Sequence, residues 1–171
     1  ILKHGLYFNE SLSVCEDWDL WYRISRVARV SNIEDVLLYY RKHGSSLSKN
    51  RTLMYQNKIK IIQNSLLDHG VDTRDLFDEE LHVKGVVEFS AFVKSIERFS
   101  DLQRTEKKFS EKEILAASAY VLYEIYKTNV KILGYCIYDV LRRSWLYQYM
   151  DVSLKKRVIN FLRCKLSRLK I

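Results

Sequence analysis

The sequence predicts a mainly α-helical protein with a short α/β segment at its front, on three observations. The chain of 171 residues has no proline and only five glycines, so little in it interrupts a helix. Apolar residues recur at helical spacing after Arg51. Two short β-branched or aromatic runs that read as strands, Arg29 to Ile33 and Val36 to Tyr40, lie before residue 50. With 47% hydrophobic and 13% aromatic residues, the chain has ample material for a core, which excludes general disorder. Its poverty in turn formers argues against a sandwich or barrel.

Each element follows in order. Acids open the stretch Glu16 to Val27, and Trp18, Leu20, Trp21, Ile24 and Val27 fall near helical spacing. Carboxylates at that end suit the helix dipole, so a helix begins near Glu16. Arg29 to Ile33 and Val36 to Tyr40 read as strands, and Lys42 to Ser48 as a turn-rich loop. Tyr55, Ile59, Ile62 and Leu66 mark a helix from Thr52 to Asp68, with His69-Gly70 as its stop. A second C-terminal helix is expected from near Leu76 to Phe99. Ser110 with Glu113 forms a capping-box pattern opening a third, which runs towards Thr128. A fourth covers Val130 to Tyr149, and a fifth follows Ser153. The expected division is therefore a front segment, 1–50, and a helical region, 51–171, a bundle of four or five helices.

Charge is uneven. From Arg142 to Ile171 there are nine Lys/Arg against Asp151 alone, which accounts for the whole net charge of +8. Any partner chosen for basicity meets that end. No helix-turn-helix, RRM or zinc pattern accompanies it, so nucleic acid is not an expected partner. Cys15, Cys136 and Cys164 are odd in number and widely spaced, which argues against a disulfide framework and suits a reducing, cytoplasmic setting. The longest apolar stretch, Val130 to Leu141, is too short and too polar to span a bilayer. The chain opens on Ile1, without a signal peptide, and the expectation is a fragment of a longer protein.

Two motifs carry chemistry. The first is Gly5-Leu6-Tyr7-Phe8-Asn9-Glu10-Ser11-Leu12 followed by Glu16-Asp17-Trp18-Asp19-Leu20-Trp21-Tyr22-Arg23. The second is Tyr39-Tyr40-Arg41-Lys42-His43-Gly44-Ser45-Ser46-Leu47-Ser48. In this order and at this separation they resemble the C-terminal third of the catalytic domain of family 2 glycosyltransferases, inverting enzymes of GT-A fold. The resemblance covers about residues 1–50. It implies a GT-A remnant there, and a parent protein that moves a sugar from a nucleotide-sugar donor to a glycan or lipid-linked acceptor. It further implies a role in surface polysaccharide or lipopolysaccharide synthesis.

Inverting transfer needs a carboxylate to take the acceptor's proton, and a cation or metal on the departing diphosphate. The resemblance assigns the base to Asp17, with Glu16 beside it. It implies Arg41 as a contact to the donor diphosphate, and His43 as a ligand to a divalent metal, Mg or Mn, in the intact parent. The residues themselves leave other readings open. Glu16 and Asp17 also suit a helix start, and Trp18 and Trp21 either flank the acceptor or anchor the helix. Arg41 also suits an ion pair and His43 a solvated loop. His4, His69 and His82 read as solvent-facing or cap groups.

The donor-binding half and its Asp-x-Asp metal motif are expected upstream of Ile1, so this chain is expected to be inactive alone and to bind no metal tightly. Asp72 to Asp75 does not fit that motif, because it follows the base. The many tyrosines after Tyr120 suit helix packing better than carbohydrate stacking.

From Leu154 to Ile171, an apolar stripe (Leu154, Val158, Phe161, Leu162, Leu166, Leu169) is flanked by Lys155, Lys156, Arg157, Arg163 and Lys170. It suits either an anionic membrane surface, with the protein peripheral on the inner face of the cell membrane, or a packed helix. The competing class for the whole chain is a non-enzymatic helical interaction module that uses this basic helix for a membrane or a partner.

Overall fold

The computed structural model describes residues 5–30, 34–39, 49–106 and 109–150. The protein is mainly helical. Its helices are α1 (Glu16–Ser25), α2 (Arg51–Leu67), α3 (Val86–Glu106), α4 (Glu111–Leu133) and α5 (Ile137–Arg143), with 3₁₀ turns at Arg74–Leu76 and Trp145–Tyr149. The expected helix 153–171 lies outside the described residues. The chain divides into two compact units, Ile1–Ser65 and Leu66–Ile171.

No strand forms among the described residues, so the strand expected at Val36 to Tyr40 is absent over 36–39, while most of the one expected at Arg29 to Ile33 lies outside the described residues. Residues 29–30 and 36–39 are irregular. Val36, Leu37 and Leu38 are about three-quarters exposed and Tyr39 is 91% exposed. β-Propensity is fitness for a pleated, half-buried surface, and among the described residues no neighbouring strand or cover supplies one.

In the first unit, the loop before α1 lies on α2. Val14, Cys15 and Ile61 form a small core, with Leu12, Trp18, Leu53 and Met54 packed against it. The expected stripe of α2 holds in part: Ile59 and Leu66 are buried, and Tyr55 and Ile62 are half-buried. Asn57, Ile61 and Gln63 are buried as well, so α2 is covered on more than one face. The helix stops where the chain predicts: Gly70 adopts φ 74° and its N–H bonds the Leu67 carbonyl at 2.9 Å.

The second unit is a helical assembly around α3 and α4. On α3 the buried residues are Phe89, Phe92, Val93, Ile96, Ser100 and Gln103, a single stripe at three- and four-residue steps. The helix begins at Val86, ten residues later than expected from Leu76, because a tight turn takes the intervening sequence. The Asp78 carboxylate accepts from the backbone N–H of Glu80 (3.0 Å) and His82 (2.8 Å), Leu81 sits at φ 64°, and Phe77 bridges Val83. Local side-chain acceptors of this kind compete with the helix ladder.

The capping box opening α4 is present: Ser110 Oγ accepts from Glu113 N (3.3 Å), and Glu113 Oε2 accepts from Ser110 N (2.9 Å). The helix runs past Thr128 to Leu133 and ends at Gly134, φ 77°. The expected helix Val130 to Tyr149 is thus divided into the end of α4, then α5, then a 3₁₀ turn. Glu97 of α3 causes the last break, accepting from Ser144 Oγ at 2.6 Å and from Trp145 N at 3.2 Å.

Candidate functional site

Asp17 and Glu16 occupy the first turn of α1, both half-buried. The helix is entered through Cys15, a non-glycine residue at φ 63°, in the left-handed region. That conformation is costly for a residue with a Cβ and persists only where the surroundings hold it. They do so here. Asn57, 5% exposed on α2, donates from Nδ2 to the Val14 carbonyl at 3.0 Å. The Cys15 thiol lies 3.7 Å from the Met54 carbonyl oxygen and 3.6 Å from its sulfur. Burial pushes the Cys15 thiol up; the Lys58 ammonium opposes this, and the charges of Asp17 and Glu16 reinforce it. The thiol packs in the small core of the first unit.

The two tryptophans part company. Trp18 packs on the Val14–Cys15–Ile61 core, with Lys58 Nζ 4.5 Å from its ring centroid. It anchors the helix. Trp21 is 56% exposed, an aromatic face open to solvent, and Tyr7 and Phe8 in the segment before α1 are also exposed.

Asp17 Oδ1 accepts from the Trp18 N–H at 2.9 Å. Asp17 and Asp19 have the spacing of an Asp-x-Asp pair, but residues two apart on a helix do not face each other. Asp19 is also engaged: Arg23 Nη2 approaches it at 2.7 Å and also donates to the Tyr7 carbonyl at 2.6 Å. Asp72 is likewise occupied, because the Arg74 guanidinium grips it in a two-point contact and holds its carboxyl down at about 2. Among the described residues, no group of three His, Cys, Asp or Glu is placed to hold a metal ion.

Arg41 and His43, expected at the diphosphate and the metal, lie outside the described residues, as does His4. His69, expected as a solvent-facing or cap group, is half-buried at the end of α2, where its backbone N–H bonds the Leu66 carbonyl at 3.1 Å and its ring lies edge-on to Phe99 at 5.2 Å. His82 is also mostly buried, with Glu80 3.6 Å from its Nδ1. The structure brings Val14 and Trp18, on either side of the acid pair, together with Asn57 and Lys58, two residues sequence reasoning did not select. In the sequence they stand in an ordinary polar run, Gln56-Asn57-Lys58, between two apolar positions of α2.

Comparison with protein-family models, with curated proteins and with solved structures found no match. No described helix is long and apolar enough to cross a membrane.

Proposed function

We propose that this chain is the C-terminal part of an inverting, family 2-type glycosyltransferase acting in surface-glycan synthesis, with Asp17 as its general base. In this reading the Asp17 carboxylate takes the proton from an acceptor hydroxyl as the oxygen attacks the anomeric carbon of the donor sugar. The nucleoside diphosphate leaves from the opposite face, and configuration inverts. A GT-A origin of residues 1–50 is part of the proposal and rests on the two motifs alone, since no sheet forms among the described residues. In this proposal Arg41 serves the diphosphate, and the donor sugar is bound by chain outside these residues.

The observation that carries the reading is the Glu16-Asp17 pair in the first turn of α1, half-buried, behind a left-handed turn that packing holds in place. Backbone strain of this kind collects at functional sites. The open Trp21 ring beside it offers a flat apolar surface to a sugar.

The test is Asp17→Asn in the full-length protein. The amide keeps the shape and removes the proton acceptor, so turnover falls by about 10²–10⁴-fold while nucleotide binding stays as in the wild type. Turnover at the wild-type rate overturns the assignment.

A further inference from the structure

We propose that α2 is the brace that aims the acid pair, and that Asn57 is its positioning residue. This rests on the reading of Asp17 as a base, and it moves part of that site out of the motif-bearing segment into a helix the motifs do not cover. The chain of contacts is short. The Asn57 carboxamide, buried in the first unit, holds the Val14 carbonyl at 3.0 Å. Val14 is bonded to Cys15, whose φ of 63° turns the backbone into α1. Glu16 and Asp17 are the next two residues, so the direction of both carboxylates is set by that turn.

A cysteine gains nothing intrinsic from the left-handed region, unlike glycine or asparagine, so the turn depends on what holds its two sides. Asn57 holds one side. Met54 and Ile61 pack on the other, with Cys15 4% exposed between them. Lys58, the next residue on α2, covers the ring of Trp18 and so fixes the residue that follows the pair. Three consecutive residues, Glu16 to Trp18, are thus referenced to one turn of α2. A displacement of a catalytic group by about 1 Å costs on the order of 10²-fold in rate, so such a brace is functionally significant.

Two readouts test it. The first needs no activity: in a chain with Cys136→Ser and Cys164→Ser, Cys15 is the only thiol. Asn57→Ala then lets an aromatic disulfide reagent reach Cys15 about tenfold faster, the change that one lost buried hydrogen bond makes in a local opening equilibrium. Asn57→Asp, equal in volume but presenting an acceptor to the Val14 carbonyl, does the same, which separates loss of the donor from loss of packing.

The second readout is kinetic, in the full-length protein. Asn57→Ala lowers kcat by about 10²-fold with the donor KM unchanged, whereas a merely structural residue would lower both with the folded fraction. Asn57→Ser, which keeps a hydroxyl donor, serves where the alanine variant does not fold, and it recovers part of kcat. Unchanged Cys15 protection, or faster labelling with an unchanged kcat, overturns the proposal. If instead Asp17→Asn retains turnover, it is the base assignment that has failed, whatever Asn57 does.

Discussion

Tyr126 illustrates how a single residue can carry an unresolved cost inside an otherwise regular core. It is 2% exposed, and its hydroxyl has no hydrogen-bond partner among the described residues. Burial pushes its phenol well above the ordinary 10.0, and the neighbouring phenols of Tyr135, Tyr138, Tyr123 and Tyr147 add to the shift. An acid whose folded pKa is raised holds its proton in the native state after the unfolded chain has given it up. Its contribution is complete below about pH 10 and is lost as pH rises beyond that value. Tyr126→Phe removes both the unpaired hydroxyl and the titration. The expected outcome is stability equal to or above the wild type at pH 7, and a smaller loss between pH 10 and 11.5, measured by urea unfolding. A variant less stable at pH 7 shows that the hydroxyl has a partner. Nothing in the sequence distinguishes Tyr126 from the other tyrosines of α4, because an unpaired hydroxyl depends on which neighbours fold back over it.

At the scale of elements, caps were legible and breaks were not. Ser110 and Glu113 announce the start of α4 through side chains three residues apart, and both hydrogen bonds of the box are made. Ser110→Ala leaves backbone donors of the first turn without their acceptor and costs about 1 kcal/mol, read as a lower urea midpoint with an unchanged slope. An unchanged midpoint shows that water replaces the box without loss. The late start of α3 and the last break within Val130 to Tyr149 have a common reason. In each, a polar side chain captures backbone N–H groups: Asp78 from its own turn, and Glu97 from a helix far away in sequence. The strand expected at 36–40 errs in the opposite direction over the described residues 36–39, since its propensity needs a partner that propensity cannot supply.

At the scale of the whole molecule, the excess charge sits at one end of the chain. The sequence from Leu154 to Ile171 alternates an apolar stripe with Lys and Arg, and each cation near an anionic surface contributes about 1 kcal/mol. If this segment meets a membrane, the chain floats with vesicles containing phosphatidylglycerol at low salt and not with neutral vesicles, and a deletion of residues 153–171 abolishes flotation. Absence of flotation with anionic vesicles at low salt means that the stripe serves packing instead.

What the sequence determined by itself is the helical class, the stop at Gly70, the capping box at Ser110 and the placing of Glu16 and Asp17 at a helix start. All of these are local: each depends on residues within one or two turns. Only the tertiary structure decided that Trp18 is an anchor while Trp21 is open, that Arg23 reaches the Tyr7 carbonyl, and that Asn57 and Lys58 of α2 hold Val14 and Trp18 on either side of the acid pair. Those outcomes are contacts between residues up to 43 positions apart. A linear pattern records which side chains are able to bond, and the packed chain selects which of them do.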